Sequence, residues 1–216
     1  MTGGLVGKLR GLFGGAPADD GEYRVRLIVG LGNPGGDYAG NRHNLGFWIV
    51  NRLARRHGLE FQHSSQASLA TGSIGGREVA LAKPRTYVNK SGVAVWNLIK
   101  RLEIDDAKEL LVACDDIDMP IAKVRIRPSG GFGGQNGLRS IIQRLGTEQF
   151  PRVRVGVGRP EANGEPSYEP DIVGDYLLSD PPPNERDRLD EAIDSAIEAI
   201  ELILSSGVEA AMRKYN

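Results

Sequence analysis

The spacing of apolar and polar positions along this chain changes several times, and each change marks an element. Val25, Leu27, Ile28, Val29 and Leu31 form an apolar, mostly branched run, which predicts a strand covered on both faces. Gly30, Gly32, Gly35 and Gly36 then let the backbone turn sharply, and a polar loop carries Asp37, Tyr38, Asn41, Arg42, His43 and Asn44. Leu45, Ile49 and Leu53, with Phe47 and Trp48, recur at a helical period over residues 45–56, and His57-Gly58 is a suitable stop. Residues 68–74 and 78–83 read as the strands of a hairpin around Gly75-Gly76. A helix over 91–101 has Val93, Val95, Trp96, Leu98, Ile99 and Leu102 for burial. A buried strand over 110–114, a strand over 124–127, a helix over 138–145 and a strand over 152–157 follow. Residues 160–170 read as an open loop, and Pro181, Pro182 and Pro183 lead into a long helix with Leu189, Ile193, Ile197, Ile200 and Leu204 on its buried stripe. A short helix over 208–215 ends the pattern. Strands alternating with helices, plus one hairpin, predict a single three-layer α/β/α domain with a mixed, mostly parallel central sheet.

The 216-residue length suits one domain with a full core. Residues 1–22 stand apart: Leu5, Leu9, Leu12 and Phe13 have helical spacing, but GGAPADDG reads as a linker. The expected organisation is a flexible N-terminal extension over 1–22 and a catalytic domain over 23–216. No stretch approaches the ~18 apolar residues of a membrane span. Cys114 is the one cysteine, which excludes an internal disulfide and fits a reducing cytosol. His43, His57 and His63 are the only histidines, and no metal-binding Cys/His spacing is present.

Net charge is −1, which alone argues against a nucleic-acid binder, but its distribution argues the other way. Residues 120–159 sum to +7, through Lys123, Arg125, Arg127, Arg139, Arg144, Arg152, Arg154 and Arg159 against Glu148, while residues 160–216 sum to −10. Such segregation can make a local phosphate-binding surface on a near-neutral protein, the alternative being arginines that merely solvate exposed faces. Arg125 with Arg127, and Arg152 with Arg154, alternate along strands and therefore share a sheet face in pairs.

Candidate chemistry gathers at strand ends. Pro34 forces Asn33 out of helical geometry, so Asn33 and His43 are expected to face one crevice at the carboxyl end of a strand. Gly30, Gly32 and Gly35 match G-x-G-x-x-G, but no helix opens at the third glycine. Arg55, Arg56 and His57 also stand where a ribose-binding carboxylate is expected, and a dinucleotide site is disfavoured. Asp115, Asp116 and Asp118 could hold magnesium, though no phosphate-cradling loop accompanies them. Cys114 is near enough to be a nucleophile but reads as an inert apolar residue. His57 reads as a helix-end cation, His63 has no evident partner, and Asn89 could cap the helix that follows it.

Five blocks, in order, resemble the bacterial-type peptidyl-tRNA hydrolase family: GLGNPGGDYAGNRHNLGF (30–47), KPRTYVNKSG (83–92), LLVACDDIDMP (110–120), GGFGGQNGLRS (130–140) and RVRVGVGRP (152–160). The resemblance implies hydrolysis of the ester between a peptide and the 3′ ribose of tRNA, releasing both and recycling tRNA from prematurely dissociated translation products. It implies His43 as general base, Asp115 as its orienter, and Asn33 as donor to the substrate carbonyl or holder of the water. It assigns Asn89 and Asn136 to the peptide main chain and terminal nucleotide, and Tyr38 to the crevice wall. Arg127 and Arg154 would then bind tRNA phosphates. No metal or organic cofactor is required. A cytoplasmic monomer without an obligate protein partner, and without membrane association, is expected. The chain departs from the family's usual histidines at Gln135 and Cys114, and from a basic rim residue around Asp171. A noncatalytic RNA-binding protein on the same scaffold is the alternative, and a magnesium-dependent phosphoryl-transfer enzyme is a third class.

Overall fold

A computed structural model describes residues 24–216, so the expected extension over 1–22 lies outside the described residues. Strand β1 (Leu27–Gly30) has all its side chains buried, as its unbroken apolar run requires. It sits centrally in a seven-stranded sheet of order β2-β3-β4-β1-β5-β7-β6. The other strands are β2 (Gln62–His63), β3 (Ala67–Ile74), β4 (Arg77–Pro84), β5 (Leu110–Asp116), β6 (Val124–Arg127) and β7 (Arg152–Gly156). Strands β4, β1, β5 and β7 run parallel, while β2, β3 and β6 add antiparallel edges. The hairpin register pairs Ile74 with Arg77 across Gly75 and Gly76, whose φ values of 57° and 79° are those of a tight hairpin turn.

The helices form the outer layers. α1 (Leu45–Arg56), α5 (Pro183–Ser206) and α6 (Val208–Tyr215) pack with Ile28, Leu111, Ala113, Val153 and Val155 on one face. α2 (Ser91–Arg101) and α3 (Asn136–Leu145) pack with Leu27, Val29, Leu110, Val112 and Cys114 on the other. The alternation in β1 and β5 feeds both cores, and this is the expected three-layer, mostly parallel fold. The long α5 buries Leu189, Ile193, Ile197, Ile200 and Leu204 as its period predicts.

Two glycines explain why the motif loop is so tight. A Cβ on Gly30 would lie 2.2 Å from Gly46 O, and one on Gly46 would lie 2.4 Å from Ala113 O. The N-terminus of α1 is thus pressed directly onto the carboxyl ends of β1 and β5. These glycines serve helix–sheet contact, and the helix opens at Leu45 rather than at Gly35, against the dinucleotide reading.

The sequence pattern does not predict β2, a small β8–β9 hairpin (Glu161–Ala162 and Glu165–Pro166), or α4 (Pro170–Leu177). Strands of two residues carry no alternation, and α4 buries no residue completely, so it has no strong apolar stripe. α3 begins at Asn136, within the segment expected to be loop, because Gln135 caps it.

Candidate active site

The site is assembled at the carboxyl ends of β1 and β5, where α1 begins. Asn33 is held by three hydrogen bonds. Its N–H donates to Asn44 Oδ1 (2.7 Å), its carbonyl accepts from Asn44 Nδ2 (3.0 Å), and its Oδ1 accepts from Val88 N (2.9 Å). With the side-chain oxygen committed to Val88, the amide NH₂ is the end left to donate to a ligand.

His43 sits in a buried 3-10 turn, Arg42–Asn44, leading directly into α1. Arg42 fixes this turn from the far end of the chain. Its guanidinium donates to Ser179 Oγ (2.7 Å) and Glu185 Oε2 (2.7 Å) and lies 4.1 Å from the Tyr176 ring centre. Odd-numbered β5 residues face α1, so Asp115 projects toward the same turn. His43 Nδ1 donates to Asp115 Oδ2 at 2.9 Å, since a carboxylate can only accept. That leaves Nε2 as the ring nitrogen available for a water.

The second oxygen of Asp115 is also occupied. Gln135 Nε2 donates to Asp115 Oδ1 (2.7 Å), and Gln135 Oε1 accepts from Gly137 N (2.6 Å). Gln135 therefore caps α3 and ties that helix to the dyad, and its amide orientation is dictated at both ends. Burial alone would lower the His43 pKa, but the charge of Asp115 and its hydrogen bond outweigh that and raise it above the ordinary 6.5. Hydrophobic burial pushes the Cys114 thiol up, reinforced by the neighbouring Asp115 charge, so Cys114 stays a protonated core residue.

The other acids have protein partners. Asp116 Oδ2 lies 2.9 Å from Arg154 Nε, close enough for an ion pair although the N–H is not aligned for a hydrogen bond. Asp116 Oδ1 accepts from Asp118 N (3.0 Å), and Asp118 pairs closely with Arg159. Burial raises the Asp116 pKa, against the opposing charge of Arg154. No group of three or more metal-ligating side chains occurs among the described residues. The magnesium reading thus loses its proposed ligands to His43, Arg154 and Arg159.

His43, Asp115, Gln135 and Asn136 line one narrow cleft of about 40 Å³, closed on one side by Leu177. Asn33 lines a second, larger cleft with Asn44. Tyr38 meets Tyr87 edge to face at 6.3 Å. Asn89 is exposed and caps nothing: the residue before α2 is Lys90, with no side-chain cap. Its amide is therefore not committed to a helix cap. Asn89, Tyr38 and Arg127 line neither cleft.

The arginines divide. In the β6–β7 register Arg125 faces Arg154 and Arg127 faces Arg152, so all share one sheet face. Arg127 is exposed, and Arg154 is half-buried behind Gly133, itself a lining residue of the narrow cleft. Arg152 is buried, donating to Gly131 O (2.8 Å) and Glu148 O (3.1 Å), with its guanidinium 4.4 Å from the Phe150 ring. This corrects the reading of 152 and 154 as a phosphate-binding pair: Arg152 anchors the glycine loop. His57 pairs with Glu201 (2.8 Å) rather than only with helix carbonyls, and His63 does have a partner, Ser68 Oγ (2.8 Å). The positioning roles of Arg42 and Gln135 are not visible in the sequence, because their partners lie in distant segments.

Gln135→His should be tolerated with a modest change in turnover, because histidine also offers one donor and one acceptor at similar reach. Turnover against pH for both proteins checks this. A gain of several orders of magnitude with a new ionisation would show that the natural protein lacks a catalytic group.

A family model described as peptidyl-tRNA hydrolase matches residues 27–216. The chain is 47% identical over 191 residues to a Chloroflexus aggregans protein named peptidyl-tRNA hydrolase, covering 88% of this chain and 98% of that one. A Chloroflexus aurantiacus protein of the same name is 48% identical over the same lengths. The crystal structure of peptidyl-tRNA hydrolase from Acinetobacter baumannii superposes with a TM-score of 0.81 at 36% identity, covering 89% of this chain and 94% of that one.

Proposed function

The chain belongs to the peptidyl-tRNA hydrolase family and hydrolyses peptidyl-tRNA, and we propose that His43 is the general base that activates the attacking water. In this reading His43 Nε2 takes a proton from water as the oxygen bonds to the ester carbonyl carbon. The Asn33 NH₂ donates to the developing oxyanion. The C–O bond to the ribose then breaks, and His43 returns the proton to the ribose oxygen. Asp115 remains a carboxylate, fixes the Nδ1–H tautomer and stabilises the imidazolium. The observation that carries the reading is the chain of hydrogen bonds from His43 through Asp115 to Gln135, in a cleft shared with Asn136. Loss of hydrolysis with retained tRNA binding in His43→Ala protein is its test.

Asn89 and Asn136 bind the peptide main chain and terminal nucleotide in this reading, and Tyr38 walls the crevice. Amide-reading groups favour peptidyl-tRNA over aminoacyl-tRNA, whose charged amine would leave them badly paired. The noncatalytic alternative finds no support, since base, orienter and asparagines are all retained. No helix among the described residues is long and apolar enough to cross a membrane. In this reading the protein acts as a cytoplasmic monomer.

Arg127 and Arg154 bind backbone phosphates of the tRNA. Neutralising Arg127 should weaken tRNA binding and lower the log–log salt slope by about 0.7–0.9. A short peptidyl-nucleotide should be hydrolysed with a smaller loss. Equal losses on both substrates would place the residue at the chemistry or in the core instead.

A further inference from the structure

The larger cleft, of about 400 Å³, lies between the start of α1 and the ends of β3 and β4, and of its lining the catalytic scheme uses Asn33 alone. This volume is within the range of specific small-ligand pockets. We infer that it receives the upstream residues of the peptide and favours acidic side chains over basic ones there. This rests on the catalytic reading, which fixes where the ester carbonyl sits.

Direction follows from topology and from the substrate's own connectivity. The ester carbonyl bears the peptide on one side and the ribose on the other. The sheet order β4-β1-β5-β7-β6 puts the exposed Arg127 and the half-buried Arg154 beyond β5, on one side of β1. The cleft lies on the opposite side of β1, at β4. Asn33 and Asn44 line it, and His43, adjacent to Asn44 in sequence, lines the catalytic cleft. RNA leaving toward β7 and β6 sends the peptide toward β4.

Preference follows from the lining. Pro34, Phe47, Trp48 and Pro84 supply apolar walls, which accept side chains of many kinds. The charged side chains are of one sign, Lys83 and Arg85, and none of the described lining residues is acidic. Lys83 Nζ donates to Asn51 Oδ1 (2.6 Å) and lies 4.2 Å from the Phe61 ring centre, so the ammonium is held in place at the cleft rather than sweeping through solvent. Arg85 is exposed, with Nη1 donating to Ser64 O (3.0 Å). His63 Nδ1 is engaged by Ser68 Oγ (2.8 Å), leaving Nε2 as its other ring nitrogen. A carboxylate entering this cleft meets complementary charge, and an ammonium meets like charge.

The test compares N-acetyl-tripeptidyl-tRNAs that share the residue at the ester and carry glutamate or lysine upstream of it. The wild-type protein should show kcat/KM roughly threefold to tenfold higher for the glutamate substrate at low ionic strength, as expected for one partly screened charge contact. Lys83→Gln and Arg85→Gln should each move the ratio toward one, and Lys83→Arg should preserve it. A wild-type ratio of one or below, or an unchanged ratio in both glutamine variants, overturns the inference. The comparison is between substrates with the same ester, so it does not depend on which group activates water. Failure of the catalytic reading would instead appear as hydrolysis of both substrates by His43→Ala protein.

Discussion

His43→Ala protein should bind tRNA nearly as well as the natural protein but hydrolyse peptidyl-tRNA roughly 10²–10⁴ times more slowly, the usual cost of losing a general base. The expectation follows from position. His57 pairs with Glu201 and His63 with Ser68, so neither stands in for it. The truncation should not unfold the domain, because the turn holding residue 43 is fixed independently by the contacts of Arg42 to Ser179 and Glu185. Single-turnover release of free tRNA, measured beside tRNA affinity, checks both halves. Near-normal turnover in a verified, contaminant-free protein would remove His43 from the chemistry.

Asp115→Asn should cost nearly as much, for a reason that the second hydrogen bond makes specific. Both carboxylate oxygens of Asp115 accept, one from His43 and one from Gln135. Asparagine has a single oxygen. If it faces the Gln135 NH₂, the new NH₂ faces His43 Nδ1 and forces the proton onto Nε2, the nitrogen that must accept from water. If it faces His43, two NH₂ groups oppose one another. Either arrangement impairs the base, and a loss of roughly 10²–10⁴ is expected. The surviving activity should have its acidic limb at lower pH, since the carboxylate that raises the His43 pKa is gone. An unchanged rate and pH profile would contradict the contact.

Much of this arrangement is legible in the amino-acid sequence because it depends on local pattern. β1 and the first five residues of β5 are unbroken apolar runs, and both strands are buried along their lengths. The bounds of α1 and α2 follow from periodic stripes flanked by turn residues, although Val93 of α2, expected to be buried, is exposed. His43 stands out as the one histidine in a glycine-flanked polar loop. What the pattern leaves unread is whatever depends on distant partners. Arg42 reads as an ordinary loop arginine until Glu185, 143 residues away, is placed beside it. Arg152 counts toward a positive segment, yet it is buried beneath the glycine loop. Gln135 reads as a departure from the family's usual histidine, whereas its amide supplies a donor to Asp115 and an acceptor for Gly137 at once. α4 goes unread because so short a helix, with no fully buried residue, leaves only a weak periodic trace.

In the proposed mechanism one histidine, raised in pKa by one aspartate, activates water without a metal ion. The measurement that tests it most directly is kcat/KM for release of free tRNA from peptidyl-tRNA, followed from about pH 5 to 9 in excess chelator. Activity should be undiminished in chelator, with an acidic limb governed by a single group titrating above the ordinary 6.5 of histidine. Loss of activity in chelator, or a profile with no ionisation in that range, would contradict it.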